Sequence, residues 1–127
     1  MKFQPDTLTG TNVVTRQQAG RIWVGGTVFA HSVLVPWTGA VLDWNAAHFE
    51  ALGEAHFERI AALSPEVVIF GSGGRLRFPP PAWLQALYVL RIGVETMDTA
   101  AACRTYNVLA AEGRLVVAAL LVGETVG

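Results

Sequence analysis

The stretch Val67-Val68-Ile69-Phe70-Gly71-Ser72-Gly73-Gly74 decides the fold, because four apolar and mostly β-branched residues run directly into a glycine-rich turn. An apolar run without polar alternation is typical of a strand buried on both faces, which in a small domain lies in the middle of an α/β sheet. Open α/β sheets bind ligands at the carboxyl ends of their strands. The turn at residues 71–74 is therefore the first place to expect a ligand.

The chain around this stretch predicts further strands and helices. On the carboxyl side we predict a helix led by the prolines at 79–81, a strand at 93–97, a helix at 99–112 and a strand at 115–122. Thr99 is a good N-cap for the 99–112 helix, and Gly113 a good stop. Strand–helix–strand units of this length predict right-handed crossovers between parallel strands. Asn107, on that helix, is expected to bond loop backbone through its carboxamide.

The first half of the chain has a more antiparallel character. We predict short strands at 11–16 and 40–44, a hairpin that joins 21–24 to 27–35 through Gly25-Gly26, and a helical segment at 45–63 broken at Gly53. Residues 1–11 lack periodicity and are expected to form a flexible arm. A length of 127 residues favours one domain, which we place at 1–127.

Composition excludes several classes of partner. The net charge is −1, Lys2 is the only lysine, and the arginines are scattered, so no basic surface is predicted to hold a nucleic acid. The longest apolar run, at 115–122, is far shorter than the roughly 20 residues that span a bilayer, so no membrane insertion is expected. A single cysteine, Cys103, excludes an internal disulfide and fits a reducing compartment. With no signal peptide visible, the expected location is cytoplasmic.

Two groups of backbone donors are predicted to face one crevice. If strands 67–70 and 93–97 are parallel, the glycine turn and the alanine-rich start of the Thr99 helix lie at the same sheet edge, where N–H groups and nearby arginines favour a carboxylate or phosphate. The candidate ligand-binding residues are Gly71, Ser72, Gly73, Gly74, Arg75, Asp98, Thr99, Ala100, Cys103 and Arg104. The alternative is structural: a turn that needs positive φ, and alanines that allow close helix packing.

Other residues with reactive side chains give weaker signals. Cys103 lies one turn into a helix, where a thiol can be activated, but a lone helical cysteine flanked by alanines is more typical of an inert core position. His31, His48 and His56 lack metal-ligand spacing, and Asp98 fits a capping role beside Thr99. Neither paired acids nor a catalytic triad is visible. We therefore expect no metal and no intrinsic cofactor.

Three segments carry a family resemblance: 65–73 (Pro-Glu-Val-Val-Ile-Phe-Gly-Ser-Gly), 77–80 (Arg-Phe-Pro-Pro) and 97–114 (Met-Asp-Thr-Ala-Ala-Ala-Cys-Arg-Thr-Tyr-Asn-Val-Leu-Ala-Ala-Glu-Gly-Arg). Together they resemble a small domain family of unknown function whose members include mitochondrial NADH dehydrogenase (complex I) assembly factor 3 and an adipogenesis-associated relative. The resemblance implies a three-layer α/β fold, with helices and an additional β-hairpin element packed on the faces of a central mixed sheet. It supplies no catalytic residues. Because no arginine-rich presequence is visible, the mitochondrial location is not carried over.

Two functions follow from these observations. The first is a non-catalytic protein-interaction or assembly-factor-like module with protein partners. The alternative is a small-anion (carboxylate or phosphate) binding protein, or an enzyme, that uses the crevice between 71–74 and the Thr99 helix.

Overall fold

The computed structural model describes residues 10–122, which form two sheets and three α-helices. The strands are β1 (Val14–Gln18), β2 (Arg21–Val24), β3 (Thr27–Phe29), β4 (Val33–Pro36), β5 (Leu42–Asp43), β6 (Val67–Gly71), β7 (Gly93–Met97) and β8 (Val116–Leu120). The helices are α1 (Glu54–Ala61), α2 (Gln85–Val89) and α3 (Thr99–Ala111), with 3₁₀ turns at Phe49–Ala51 and Pro81–Leu84. Residues 1–9, most of the predicted arm, lie outside the described residues, as do 123–127. Thr11, at the end of that arm, bridges to Thr38.

The main sheet is mixed, with the strand order β5-β4-β8-β6-β7. The apolar run at 67–70 forms β6, which lies between β8 and β7, and all five residues of this strand are buried. β6 is parallel to both neighbours, whereas β4 is antiparallel to β8. The prediction of a central mixed sheet around this run is therefore confirmed.

Each face of the sheet is covered by a different layer. Val67 and Ile69 belong to a core shared with α3 and the β1–β3 sheet, whereas Val68 and Phe70 belong to a core shared with α1 and α2. This alternation follows from the two-residue period of a strand, which sends successive side chains to opposite faces. The result is three layers, with the small antiparallel sheet as the additional β element. The predicted fold class is confirmed.

The β2–β3 hairpin forms as predicted. Val24 pairs with Thr27, so Gly25-Gly26 is a two-residue loop, and Gly25 has a φ of +60°. A positive φ at the first loop position favours glycine.

Asn107 fastens the small sheet to α3. The Val14 N–H donates to Asn107 Oδ1 at 2.9 Å, and Asn107 Nδ2 donates to the Val14 carbonyl at 2.7 Å. The carboxamide thus pairs with β1 as a neighbouring strand would. Next to it, the buried Tyr106 hydroxyl lies 2.8 Å from the Asn12 carbonyl oxygen and 3.1 Å from that of Pro36. Asn107 bonds backbone as expected, although its partner is in a strand and not a loop.

Several predicted elements are wrong in extent. The single strand expected at 27–35 is split, because β3 ends in one sheet and β4 begins in the other. At the crossing the buried Ser32 hydroxyl accepts the Val122 N–H at 2.9 Å and lies 3.1 Å from the Val122 carbonyl oxygen, which ties β4 to the end of β8. The strand predicted at 11–16 begins later, at Val14, and extends to Gln18.

The helical segment predicted at 45–63 is helical only in part. Asn45 has a φ of +63° and donates its N–H to the Asp43 carboxylate at 2.7 Å, which turns the chain away from a helix. The α-helix begins only after Gly53, whose N–H donates to His56 Nδ1 at 3.2 Å. After the prolines, α2 spans only Gln85–Val89, and both Tyr88 and Arg91 are exposed.

Replacing Asn107 tests how firmly the small sheet is attached. We expect Asn107→Ala to lower the free energy of unfolding by about 1–3 kcal/mol, because the Val14 N–H and carbonyl lose their partners. Denaturant unfolding measures this loss, and amide exchange at Val14 should accelerate. Val108→Ser, at an exposed position of the same helix, should change stability by less than about 0.5 kcal/mol. Equal stability of the two variants would contradict the assigned role.

Candidate functional site

The glycine turn and the start of α3 lie side by side, because β6 and β7 are parallel and their carboxyl ends are adjacent. A Cβ added to Gly71 would lie 3.0 Å from the Thr99 Cα and 3.0 Å from a methyl carbon of Leu120. Only glycine fits at that separation without a shift of the helix. The sequence therefore predicts correctly that these two segments meet.

The buried hydroxyl of Thr99 joins the two segments to the end of β8. Thr99 Oγ1 accepts the Gly73 N–H at 2.9 Å and donates to the Leu121 carbonyl at 2.9 Å. The Thr99 N–H donates in turn to the Gly73 carbonyl, also at 2.9 Å. We call this set of three hydrogen bonds the Thr99 clasp. It connects the ends of β6 and β8 to the start of α3 through a single residue.

The N-cap of α3 is Asp98 and not Thr99. Asp98 has extended backbone, and its carboxylate accepts the Ala101 N–H at 2.9 Å, which satisfies one of the unpaired donors of the first turn. The prediction of Thr99 as the cap is wrong, because its hydroxyl is turned into the protein toward Gly73 and Leu121. The capping role expected for Asp98 is confirmed.

Several donors that the sequence assigned to a ligand are bonded within the protein. The N–H groups of Gly73, Thr99 and Ala101 have the partners described above, and the Ser72 N–H donates to the Met97 carbonyl at 2.8 Å. The Ser72 hydroxyl donates to the Arg75 carbonyl at 2.7 Å and accepts the Arg77 N–H at 3.0 Å. These groups hold the turn together and are not presented to solvent.

A cavity of about 200 Å³ nevertheless lies where the crevice was predicted. Five of the predicted residues line it: Gly73, Gly74, Asp98, Thr99 and Ala100. A further wall comes from the β1–β2 turn at 17–20. Ile22, Leu121 and Val122 add apolar residues to the lining. The Asp98 carboxylate gives this cavity an acidic group in its wall.

The other predicted residues are not brought to this cavity. Gly71 and Ser72 are buried, and Arg75 is exposed on the loop that follows. Cys103 and Arg104 line a second depression of about 190 Å³ against β1, to which Ala100 also contributes. Seven of the ten candidates therefore line one or both of two neighbouring depressions, and no single pocket unites all ten.

The wall from the β1–β2 turn was missed by the sequence reasoning. Gln17 and Gln18 carry no motif, and their position depends on how the small sheet packs on α3 through Asn107. One local signal was available: Ala19-Gly20 separates β1 from β2, and Gly20 has a φ of +81°. That signal predicts a hairpin but does not say which layer the hairpin will cover.

The Cys103 thiol is buried, and this burial raises its pKa to about 12, although the nearby Arg104 charge acts in the opposite direction. At neutral pH the thiol is therefore protonated, which makes it a poor nucleophile. This agrees with the interpretation of Cys103 as a core residue.

The three histidines lie apart and have local partners. His31 Nδ1 is 3.8 Å from the Asp43 carboxylate, His48 Nδ1 is 3.3 Å from that of Glu50, and His56 lies at the start of α1. Within residues 10–122 no group of three or more His, Cys, Asp and Glu side chains could hold a metal ion. Across the same residues, no helix has the length and apolar character needed to cross a membrane.

Comparison with known proteins places this fold among described relatives. Residues 14–121 match the family model described as "Protein of unknown function (DUF498/DUF598)". An NADH dehydrogenase [ubiquinone] 1 alpha subcomplex assembly factor 3 from Mus musculus is 39% identical over 105 residues, which cover 80% of this chain and 56% of that protein. The chain thus spans about half the length of the curated relatives it matches.

Two solved structures share the architecture. A crystal structure of a Bordetella parapertussis protein has a TM-score of 0.84 at 38% identity, covering 91% of this chain and 98% of that one. A solution structure from Bordetella pertussis, described as a Mth938-like domain, has a TM-score of 0.83 at 32% identity, covering 97% and 93%.

Removing the Thr99 hydroxyl tests the clasp. We expect Thr99→Val to destabilise the protein by about 1–3 kcal/mol for each of the two buried groups left without a partner, the Gly73 N–H and the Leu121 carbonyl. Thr99→Ser keeps the hydroxyl and loses one methyl group, so its cost should stay near 1 kcal/mol. Denaturant unfolding of both variants measures the difference. A valine variant as stable as the serine variant would show that the clasp contributes little.

Proposed function

Since the chain belongs to the family of proteins of unknown function DUF498/DUF598, we propose that it is a non-catalytic protein-interaction module that acts in the assembly of a multi-subunit complex. The names of its relatives support this proposal, because several are assembly factors of the NADH dehydrogenase 1 alpha subcomplex. An NADH dehydrogenase is accordingly the first complex to test. We propose a cytoplasmic location for the protein, in keeping with its single cysteine.

The observation that carries this proposal is the position of the exposed apolar side chains. Of the nine large apolar residues that are exposed within the described part of the chain, five lie between residues 76 and 90: Leu76, Phe78, Tyr88, Val89 and Leu90. Phe78 is 69% exposed and Val89 is 70% exposed. Large apolar side chains exposed at this density along one segment mark that segment as a candidate site for binding another protein.

The loop that carries Phe78 is held in place from both sides. On one side the Ser72 hydroxyl accepts the Arg77 N–H at 3.0 Å. On the other side the Arg77 guanidinium donates to the Glu50 carboxylate at 3.1 Å and lies 4.7 Å from the centre of the Phe49 ring. Prolines at 79–81 restrict the chain that follows. An aromatic side chain on a fixed backbone loses less entropy on binding than one on a mobile loop, which suits a binding hot spot.

Replacing the exposed apolar residues tests the interaction role. We expect the double variant Phe78→Ser/Val89→Ser to fold with nearly unchanged stability, because both side chains are exposed, and to lose its partner proteins. Affinity capture from the native cell, compared with wild type by mass spectrometry, measures the loss. Val108→Ser, which removes a 57% exposed apolar side chain from α3, is the matched control and should keep the partners.

A test of the assembled complex follows from the same variant. Cells that lack the protein should accumulate less fully assembled NADH dehydrogenase on native gels, and the double variant should fail to restore it. Normal assembly in the absence of the protein would rule out this complex as its target. Identical partner sets for the double variant and wild type would refute the proposed surface.

The cavity supports a second candidate function, a small-anion binding protein or an enzyme acting on a carboxylate or phosphate compound. Its location beside Gly73, Gly74 and Ala100 agrees with the crevice expected from the sequence. Against it stand the Asp98 carboxylate in the wall and the internal bonding of the Gly73 and Thr99 N–H groups.

A thermal-shift screen against phosphate, nucleotides and simple carboxylates tests this second candidate. A ligand at 100 times its Kd should stabilise the protein by about 2.7 kcal/mol. Gly74→Glu should abolish such a shift, because it adds a carboxylate at the cavity where a Cβ meets no atom within 4 Å. Gly26→Glu, in the equally open β2–β3 loop, is the matched control. A screen without any shift would remove this candidate.

A further inference from the structure

We infer that the outer edge of β7 receives an extended segment of a partner protein as a sixth strand of the main sheet, with a basic side chain of that segment opposite Glu95. The inference rests on the proposed interaction role and specifies how the partner is bound. Its support comes from the hydrogen-bonding groups of β7, from the charge of Glu95 and from the surfaces on either side of the strand.

β7 is an edge strand with unused hydrogen-bonding groups. It pairs with β6 on one side, and no other strand in residues 10–122 pairs with its outer side. The Met97 carbonyl accepts the Ser72 N–H, so Met97 faces β6, and Glu95 faces β6 by alternation. The N–H and carbonyl groups of Val94 and Thr96 consequently point outward, where an added strand can pair with them.

This edge lacks most of the features that block strand addition. Proteins protect sheet edges with very short strands, prolines, bulges or charges. β5, at the opposite edge, pairs through only two residues, Leu42 and Asp43. β7 pairs with β6 in regular register over all five positions and contains no proline. Its single charged residue is Glu95.

Glu95 disfavours a second copy of this chain as the occupant. If two copies of β7 paired antiparallel through their outward groups, Val94 of one copy would lie opposite Thr96 of the other. Glu95 of one copy would then lie directly opposite Glu95 of the other. Directly opposite residues at such a position lie about 4.5 Å apart between Cα atoms, and like charges there are destabilising. A lysine or arginine at the same position of a partner strand is attracted instead.

The two faces beside the edge differ, which defines the partner further. Glu95 pairs with Ile69 and therefore lies on the α3 face of the sheet. Val94 packs on the opposite face with the α1 and α2 layer, where Val89 and Leu90 leave apolar surface exposed. The fitting segment thus alternates basic residues toward the α3 face with apolar residues toward α2.

A pair of synthetic peptides tests this inference on the full chain. The probe is acetyl-Thr-Lys-Val-Lys-Val-Lys-Thr-amide, and the matched peptide has glutamate at each lysine. By NMR titration we expect the lysine peptide to shift the amide signals of residues 93–97, to slow hydrogen exchange at Val94 and Thr96, and to bind at least tenfold more tightly than the glutamate peptide. Glu95→Lys should reverse that preference, and Val108→Ser should leave it unchanged.

Thr96→Pro supplies an independent variant, because it removes an outward N–H that β6 does not use. A folded Thr96→Pro protein should lose the lysine peptide. Equal binding of both peptides, shifts centred away from β7, or sedimentation as a dimer that protects Val94 and Thr96 would overturn the inference. If the peptide fails while capture still depends on Phe78, the edge inference falls and the proposed interaction role stands. If the peptide binds and no cellular partner is found, the β7 edge is shown to accept a strand and the proposed interaction role falls.

Discussion

The structure depends on one buried hydroxyl, that of Thr99, which holds two strand ends and a helix start together. Such a group has to be fully satisfied, because an unpaired hydroxyl or amide in the interior costs more than a well-made hydrogen bond returns. Thr99 accepts from Gly73 and donates to Leu121, so both capacities are used. The absence of a side chain at Gly71 allows the close approach on which these bonds depend. The helix and the sheet are therefore fixed to each other at the carboxyl ends of the strands, where α/β proteins usually keep a binding site open.

The same turn also holds an exposed loop in place, through the hydroxyl of Ser72. Gly73 bonds inward to Thr99, while the Ser72 hydroxyl bonds the backbone of Arg75 and Arg77. The turn thus acts as a support for the loop that presents Phe78, in addition to lining the cavity. A glycine-rich turn after a buried strand has two uses, to bind a ligand or to hold another segment, and most of its hydrogen bonds here serve the second.

The sequence predicts the second half of the molecule better than the first, for a physical reason. β6 and β8 are marked by unbroken apolar runs, and α3 is marked by a residue able to cap it and by a terminating glycine. The strand expected at 27–35 is split because Ser32 bonds Val122, which lies ninety residues away. Asp98 and Thr99 are both able to cap a helix, and only the tertiary position of Leu121 decides which one does. The cavity wall at 17–20 depends in the same way on Asn107, which was expected to bond backbone but whose partner, Val14, no local pattern reveals.

The topology also explains why the open edge falls at β7. From β6 the chain goes outward to β7 and then returns through α3 to β8, on the other side of β6. On one side β8 pairs with β6 in parallel, and on its other side it pairs with β4 in antiparallel. Growth of the sheet in that direction ends in the two-residue strand β5, whereas nothing in the described chain returns to β7. The crossover that brings the Thr99 clasp into the middle of the sheet therefore also leaves β7 at its margin, so a closed centre and an open edge arise from the same strand order.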